Sequence, residues 1–177
     1  MHTIFEEVAL ATPNELGSPW RVERFVMIAE SAYIFALKYG SLNIIRKFAC
    51  KDPYFAYRYA MDIDKCPRKD TRNAACKSPE WAYEYALHID KKPRNDTRKN
   101  ACKSPECAYL YASNIDQCPR NDTREAACKN SCFAYLYAKD IDAKPTKETW
   151  LSVKNTEHEE ELLKIMKIMK FQNIQLL

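Results

Sequence analysis

Beyond residue 48 the apolar and polar positions of this chain recur with a fixed period. In "EWAYEYALHID" (80–90), Ala82, Tyr85, Ala86 and Ile89 fall at i, i+3, i+4 and i+7, the spacing that lines one side of an α-helix. The same residue types return as Ala56, Tyr59, Ala60 and Ile63, as Ala108, Tyr111, Ala112 and Ile115, and as Ala134, Tyr137, Ala138 and Ile141. Small alanines allow adjacent helices to approach closely, and the tyrosine fills the space between layers. The opposite side of the helix behaves differently. Positions 58, 84, 110 and 136 read Arg, Glu, Leu and Leu, and positions 61, 87, 113 and 139 read Met, Leu, Ser and Lys. A side free to change between copies is expected to face solvent.

The flanking residues set the boundaries. Ser78 is a good N-cap, Pro79 suits the first helical position, and Glu80 complements the helix dipole there. This long helix stops before Pro93. Asp96 is expected to cap a shorter helix, "TRKNACK", after which Ser104 and Pro105 open the next long one; "KKPRN" is the only true loop. Four copies result, at 49–74, 75–100, 101–126 and 127–152. The second and third agree at 18 of 26 positions with no insertion or deletion, so the period belongs to a structural unit. The expected fold class is all-α: an α-solenoid of two-helix, long plus short, 26-residue repeats with atypical helical caps at both ends. Residues 1–177 form one domain on this reading, with an N-terminal cap and degenerate repeat (1–48), four repeats (49–150) and a C-terminal capping helix (151–177). In the degenerate repeat, Ala32, Tyr33, Phe35 and Ala36 echo the long helix, Arg46 stands over Arg72, and Ser18-Pro19 is the start signal. Copy four loses its signature after Pro145, and Asn155 or Thr156 caps "EHEEELLKIMKIMKF".

The "SPE-x-AY-x-YA" helix, here "KSPEWAYEYA" and "KSPECAYLYA", resembles a short helical repeat of uncharacterised bacteriophage and bacterial proteins. The 26-residue pitch, with "TREAACKNS" before the next helix, is similar to the α-solenoids of leucine-rich-repeat variants, which alternate long and short helices. The resemblance covers roughly residues 49–145. It implies architecture and, through the phage proteins, a host protein as partner in the host cytoplasm. Tyrosines and alanines stand here where the leucine-rich variants carry leucines. The N-terminal cysteine cluster that accompanies an iron–sulfur centre in some of those is lacking, so the resemblance implies no cofactor.

Composition changes this picture little. Only 2 of 177 residues are glycine, which argues against tight hairpins and phosphate-cradling loops. The most apolar stretch, "RFVMIAESAYIFALKYG", carries Glu30 and Ser31 in its middle and is too short for a membrane span. The opening residues lack the basic region of a signal peptide, so a cytoplasmic protein is the expectation. The net charge of +4 arises entirely within 49–150, a mild bias.

The chemistry-bearing residues point away from catalysis. Cys50, Cys76, Cys102 and Cys128 share one repeat position, so a helix-packing distance of about 8–10 Å separates neighbours, too far for a disulfide or a shared zinc. They are expected as small buried residues. The three histidines, His2, His88 and His158, form no constellation, and no enzyme activity or metal site is expected. Asp64, Asp90, Asp116 and Asp142 each stand near a helix C-terminus, where a carboxylate opposes the dipole. Arg46, Arg72, Arg98 and Arg124 recur as well. The two rows are expected to meet as ion pairs; solvated turn residues are the alternative.

Two functions compete. A protein–protein interaction module would use the variable stripe and the tyrosines beside it: Tyr57, Arg58 and Met61; Tyr83, Glu84, Leu87 and His88; Tyr109, Leu110 and Asn114; Tyr135 and Leu136. Tyrosine offers a large contact area with few torsions to freeze. Nucleic-acid binding would instead use Lys51, Lys77, Lys103 and Lys129 with Arg68, Arg94 and Arg120. Asp70, Asp96 and Asp122 recur two residues from those arginines and weaken the field.

Overall fold

The computed structural model describes residues 19–142 and 144–174, and every element among them is helical. The helices are α1 (Pro19–Tyr39), α2 (Asn43–Ala49), α3 (Pro53–Tyr59), α4 (Lys69–Ala75), α5 (Pro79–Tyr85), α6 (Asn95–Ala101), α7 (Pro105–Tyr111), α8 (Asn121–Ala127), α9 (Ser131–Asp140), α10 (Lys147–Val153) and α11 (Glu159–Ile174). Each of α2, α4, α6, α8 and α10 packs on the helix before it, and the short links make these pairs antiparallel. Successive long helices α3, α5, α7 and α9 also pack side by side. None of the described helices is long and apolar enough to cross a membrane.

The caps follow the sequence at the long helices. Pro53, Pro79 and Pro105 each occupy the first turn. The Asp52, Ser104 and Asn130 side chains accept backbone N–H groups of α3, α7 and α9, whereas Ser78 sits at the cap position of α5 without such a bond. The short helices differ from expectation. Their cap position falls on Arg68, Arg94 and Arg120, and the aspartates lie inside the first turn. Asp96 does not cap α6 because its carboxylate is held by the Arg94 guanidinium and by the Thr97 N–H.

The long helices do not run on as uniform α-helix. α3, α5 and α7 pass into five-residue π-helical tails, Ala60–Asp64, Ala86–Asp90 and Ala112–Asp116. Each tail ends in a left-handed residue, Lys65, Lys91 or Gln117, all with φ 51°. Lys91 N–H donates to Ala86 O and Gln117 N–H to Ala112 O, five residues back. α1 ends without this device: Gly40, at φ 90°, donates four residues back to Ala36 O. α9 also ends without a π-helix, at Asp140, although Asp142 is still clasped by Arg124. The π-tail therefore accompanies Asp64, Asp90 and Asp116 without being required for the pairing.

Those aspartates meet the arginines 18 residues before them. Arg46 Nε lies 2.8 Å from Asp64, Arg98 Nε 2.9 Å from Asp116 and Arg124 Nε 2.9 Å from Asp142, each with a second bond from Nη2; Arg72 clasps Asp90 in the same way. The alternative of solvated turn residues is overturned, since the four carboxylates are almost entirely shielded from water. Each guanidinium also lies over a tyrosine ring (Tyr59, Tyr85, Tyr111, Tyr137) at 5.5–5.7 Å. These rings are fully buried. The hydroxyls of Tyr85, Tyr111 and Tyr137 accept the backbone N–H of Arg68, Arg94 and Arg120 and sit 2.9 Å from the buried hydroxyls of Thr71, Thr97 and Thr123. A short helix is thus pinned to the following long helix by a neutral clasp and an ionic one.

The repeat register outlasts the boundary expected at residue 150. α10 occupies 147–153, which is 26 residues beyond α8, and Thr149 continues the buried threonine row. Trp150 replaces the arginine, and Leu162 of α11 closes the layer against Ala134, Ala138 and Val153. α11 begins at Glu159, after a turn in which Asn155 takes φ 63°. The start signal at Ser18 lies outside the described residues.

Candidate partner-binding face

The variable stripe is narrower than the sequence suggests. Tyr57 and Tyr83 are buried, because the ring two residues before each recurring core tyrosine tucks between neighbouring long helices. Tyr57 stacks on Trp81 with ring centres 5.4 Å apart, and the Tyr83 hydroxyl accepts a 2.7 Å bond from Asn114. Tyr109 and Tyr135 are half-buried. Tyr109 donates to Asp140, and burial together with that carboxylate pushes its hydroxyl up to about 12. Tyr135 stacks on His158 at 5.2 Å. Inter-helix packing accounts for the bodies of all four rings.

Arg58 is likewise held in place. It donates to Asp62 (2.7 Å) and to the hydroxyls of Tyr33 and Tyr54, and its guanidinium lies over both of those rings. Burial alone would raise the Asp62 carboxyl, but the hydrogen bonds from Tyr33 and Arg58 outweigh it and hold the group below its ordinary value. Glu84 and His88 pair with each other at 3.2 Å. Leu87 and Leu110 are half-buried against the core around Tyr83 and Tyr111, and Leu136 is half-buried. Met61, 44% exposed, is the most open apolar member of the stripe.

The basic rows occupy two opposite edges. Lys51, Lys77, Lys103 and Lys129, all exposed, follow the C-terminal ends of the short helices; Lys103 donates to Asn100. Arg68, Arg94 and Arg120 precede the N-terminal ends of the same helices. Each of these arginines lies between two aspartates: Arg94 is 3.1 Å from Asp96 and 3.8 Å from Asp90, and Arg120 is 3.5 Å from Asp122 and 3.9 Å from Asp116. The two basic rows form no common surface.

The cysteine row is not uniformly inside: Cys76 is buried, while Cys50, Cys102 and Cys128 are half-buried. Burial pushes the Cys50 thiol up to about 12 and those of Cys76 and Cys102 up to about 11, which suppresses the thiolate that metal binding and nucleophilic attack require. No cluster of His, Cys, Asp or Glu among the described residues could hold a metal ion.

Cys107 takes the repeat position that Trp81 fills one copy earlier, and the groove this leaves does not follow from the pattern along a single helix. Down the repeats, positions 55, 81, 107 and 133 carry Phe, Trp, Cys and Phe. An open groove of about 520 Å³ lies between the first turns of α5 and α7, with Cys107 among its lining residues. Reading that row across the copies, rather than along one helix, is the signal that would have found it.

Compared with known proteins, the chain matches no family model, no curated protein and no solved structure.

Proposed function

We propose that the chain is an α-solenoid that acts as a non-enzymatic protein–protein interaction module, with the outward side of α3, α5, α7 and α9 as its contact face. One observation carries this reading. The buried Ala, Tyr, Thr, Arg and Asp positions keep their identity from copy to copy, while chemistry changes along the outward rows: Tyr54, Glu80, Glu106 and Cys132; Arg58, Glu84, Leu110 and Leu136; Met61, Leu87, Ser113 and Lys139. A constant scaffold presenting a varied strip is the arrangement by which stacked repeats build extended binding surfaces. On the resemblance stated above, the partner is a host protein and the module works in the host cytoplasm.

Nucleic-acid binding is the weaker reading, because the arginine row is neutralised by aspartates and the lysine row stands on the other edge. A pull-down from host lysate, with and without nuclease and washed at low and high salt, separates the two. The expected result is a discrete protein that survives nuclease and salt and is lost when Glu84→Lys and Leu136→Glu are combined. Recovery of nucleic acid that falls steeply with salt, and that depends on the lysine row, would overturn the reading.

A further inference from the structure

In the layer between successive long helices, an aromatic ring from each of α3, α5 and α9 packs back onto the long helix before it. Phe55 lies 5.9 Å from Tyr33, Trp81 lies 4.9 Å from Tyr54 and 5.4 Å from Tyr57, and Phe133 lies 6.2 Å from Tyr109. The equivalent residue of α7 is Cys107. The two positions of α5 that correspond to Tyr54 and Tyr57 are Glu80 and Tyr83, and both line the groove together with Cys107. The groove thus stands where the ring of a Trp81-like residue would stand. It is a single gap in a row of rings that is otherwise filled.

The rim adds charge. Glu80 and Glu106 form no ion pair among the described residues, and Glu84, paired only with His88, completes the acidic side. All three glutamates line the groove together with Cys107; burial is the main reason the Cys107 thiol is raised, and Glu106, Glu80 and Glu84 push it the same way. Leu110 and Tyr83 supply apolar wall. A flat ring fits the shape, and a cation fits the rim.

We propose that this groove is a docking pocket for a linear segment of a protein partner that inserts an aromatic side chain flanked by lysine or arginine. The inserted ring takes the place that Trp81 fills one repeat earlier, and the flanking cations meet Glu80, Glu84 and Glu106. An aromatic anchor seated in a pocket with charged residues at its rim is the usual form of an energetically dominant contact. The proposal rests on the interaction reading above and gives it a partner chemistry.

The test uses a defined probe, the acetylated and amidated tripeptide Lys-Trp-Arg, titrated into the full chain and followed by protein NMR. The expected result is saturable shifts confined to the groove, at Glu84, Glu106, Cys107 and Leu110. Binding of Glu-Trp-Glu and of Lys-Ala-Arg should be at least about tenfold weaker. Cys107→Trp, or Cys107→Phe as found at positions 55 and 133, should abolish the shifts while the melting temperature holds or rises. Glu80→Gln combined with Glu106→Gln should weaken binding without changing the fold. Equal response to the three peptides, shifts scattered over the molecule, or undiminished binding in both filled variants would overturn the pocket. Concentration-dependent shifts without peptide, lost in Cys107→Trp, would put a second copy in the groove and overturn it as well. If the peptide fails while a host protein is still captured through Glu84 and Leu136, the pocket falls and the interaction reading stands; if the peptide binds and no protein is captured, the reverse holds.

Discussion

Asp90 is a buried carboxylate hydrogen-bonded by the Arg72 guanidinium, with the more exposed Arg94 at 3.8 Å. Removing one member of such a pair strands the other charge, so Asp90→Ala should cost about 3–5 kcal/mol in urea unfolding. Replacing both members, Arg72→Met with Asp90→Leu, should cost far less, because no unpaired charge remains. A double variant as unstable as Asp90→Ala would show that Arg72 acts mainly through the Tyr85 ring beneath it. The cysteines give a second residue-scale expectation. Burial raises the Cys50, Cys76 and Cys102 thiols to about 11–12 from an ordinary 9.0, so the folded chain keeps protons that the unfolded chain releases. Their contribution is complete below pH 9 and is lost as pH rises toward those values. Urea midpoints should therefore fall between about pH 9 and pH 11, and less so when all three are alanine. Iodoacetamide near neutral pH should label the exposed Cys66, Cys118 and Cys132 well before these three. The Arg–Asp pairing was legible in the sequence, since two rows of opposite charge at one period need each other once buried. The burial of Tyr57 and Tyr83 was not, because each ring is covered by the next copy, at Trp81 and Asn114, and a pattern read along one helix does not contain its neighbour.

At the scale of the element, the long helices carry the information that sequence periodicity misses. An "A-x-x-I-D" tail fits an α-helix and a π-turn almost equally well, so the extra residue in 86–90 leaves no mark in the apolar spacing. The left-handed residue that ends each tail is Lys65, Lys91 or Gln117, none a glycine, and the usual signal for that conformation is missing. Left-handed backbone costs an ordinary L-residue about 1–2 kcal/mol. Gln117→Gly should accordingly raise the urea midpoint slightly, the strain relieved being partly offset by the flexibility of glycine in the unfolded chain. Gln117→Val should lower it by about 1 kcal/mol or more. If Val were tolerated as well as Gly, the tail would have to be softer than its hydrogen bond from Gln117 to Ala112 implies. The short helices were legible in existence and length but not in their starts, because Asp96 and its equivalents have the chemistry of a cap and are held by Arg94 and its equivalents instead.

Across the whole molecule, the alternation of long and short helices at one period was the most legible feature, and it extends to α10 because Thr149 keeps the threonine row after the arginine and tyrosine rows have stopped. The two ends differ. Leu162 of α11 covers the layer at the C-terminal side, whereas Ile34, Leu37, Leu42 and Ile44 near the first helix pair are exposed. Leu42 and Ile44 stand where later copies have Arg68 and Asp70, so the polar edge gives way to an apolar one there. Leu162→Ala should destabilise the chain by about 2–5 kcal/mol, while Ile44→Ala should change the urea midpoint little. The most direct measurement of the interaction proposal places a photo-crosslinking amino acid at position 84, at position 136 or, as a control on the lysine edge, at position 77, each in the full chain exposed to host lysate. The expected result is one protein adduct of the same mass from positions 84 and 136 and none from 77. Adducts from 77 alone, or nucleic acid joined to the chain through that edge, would contradict the claim that the varied side of the long helices is the working surface.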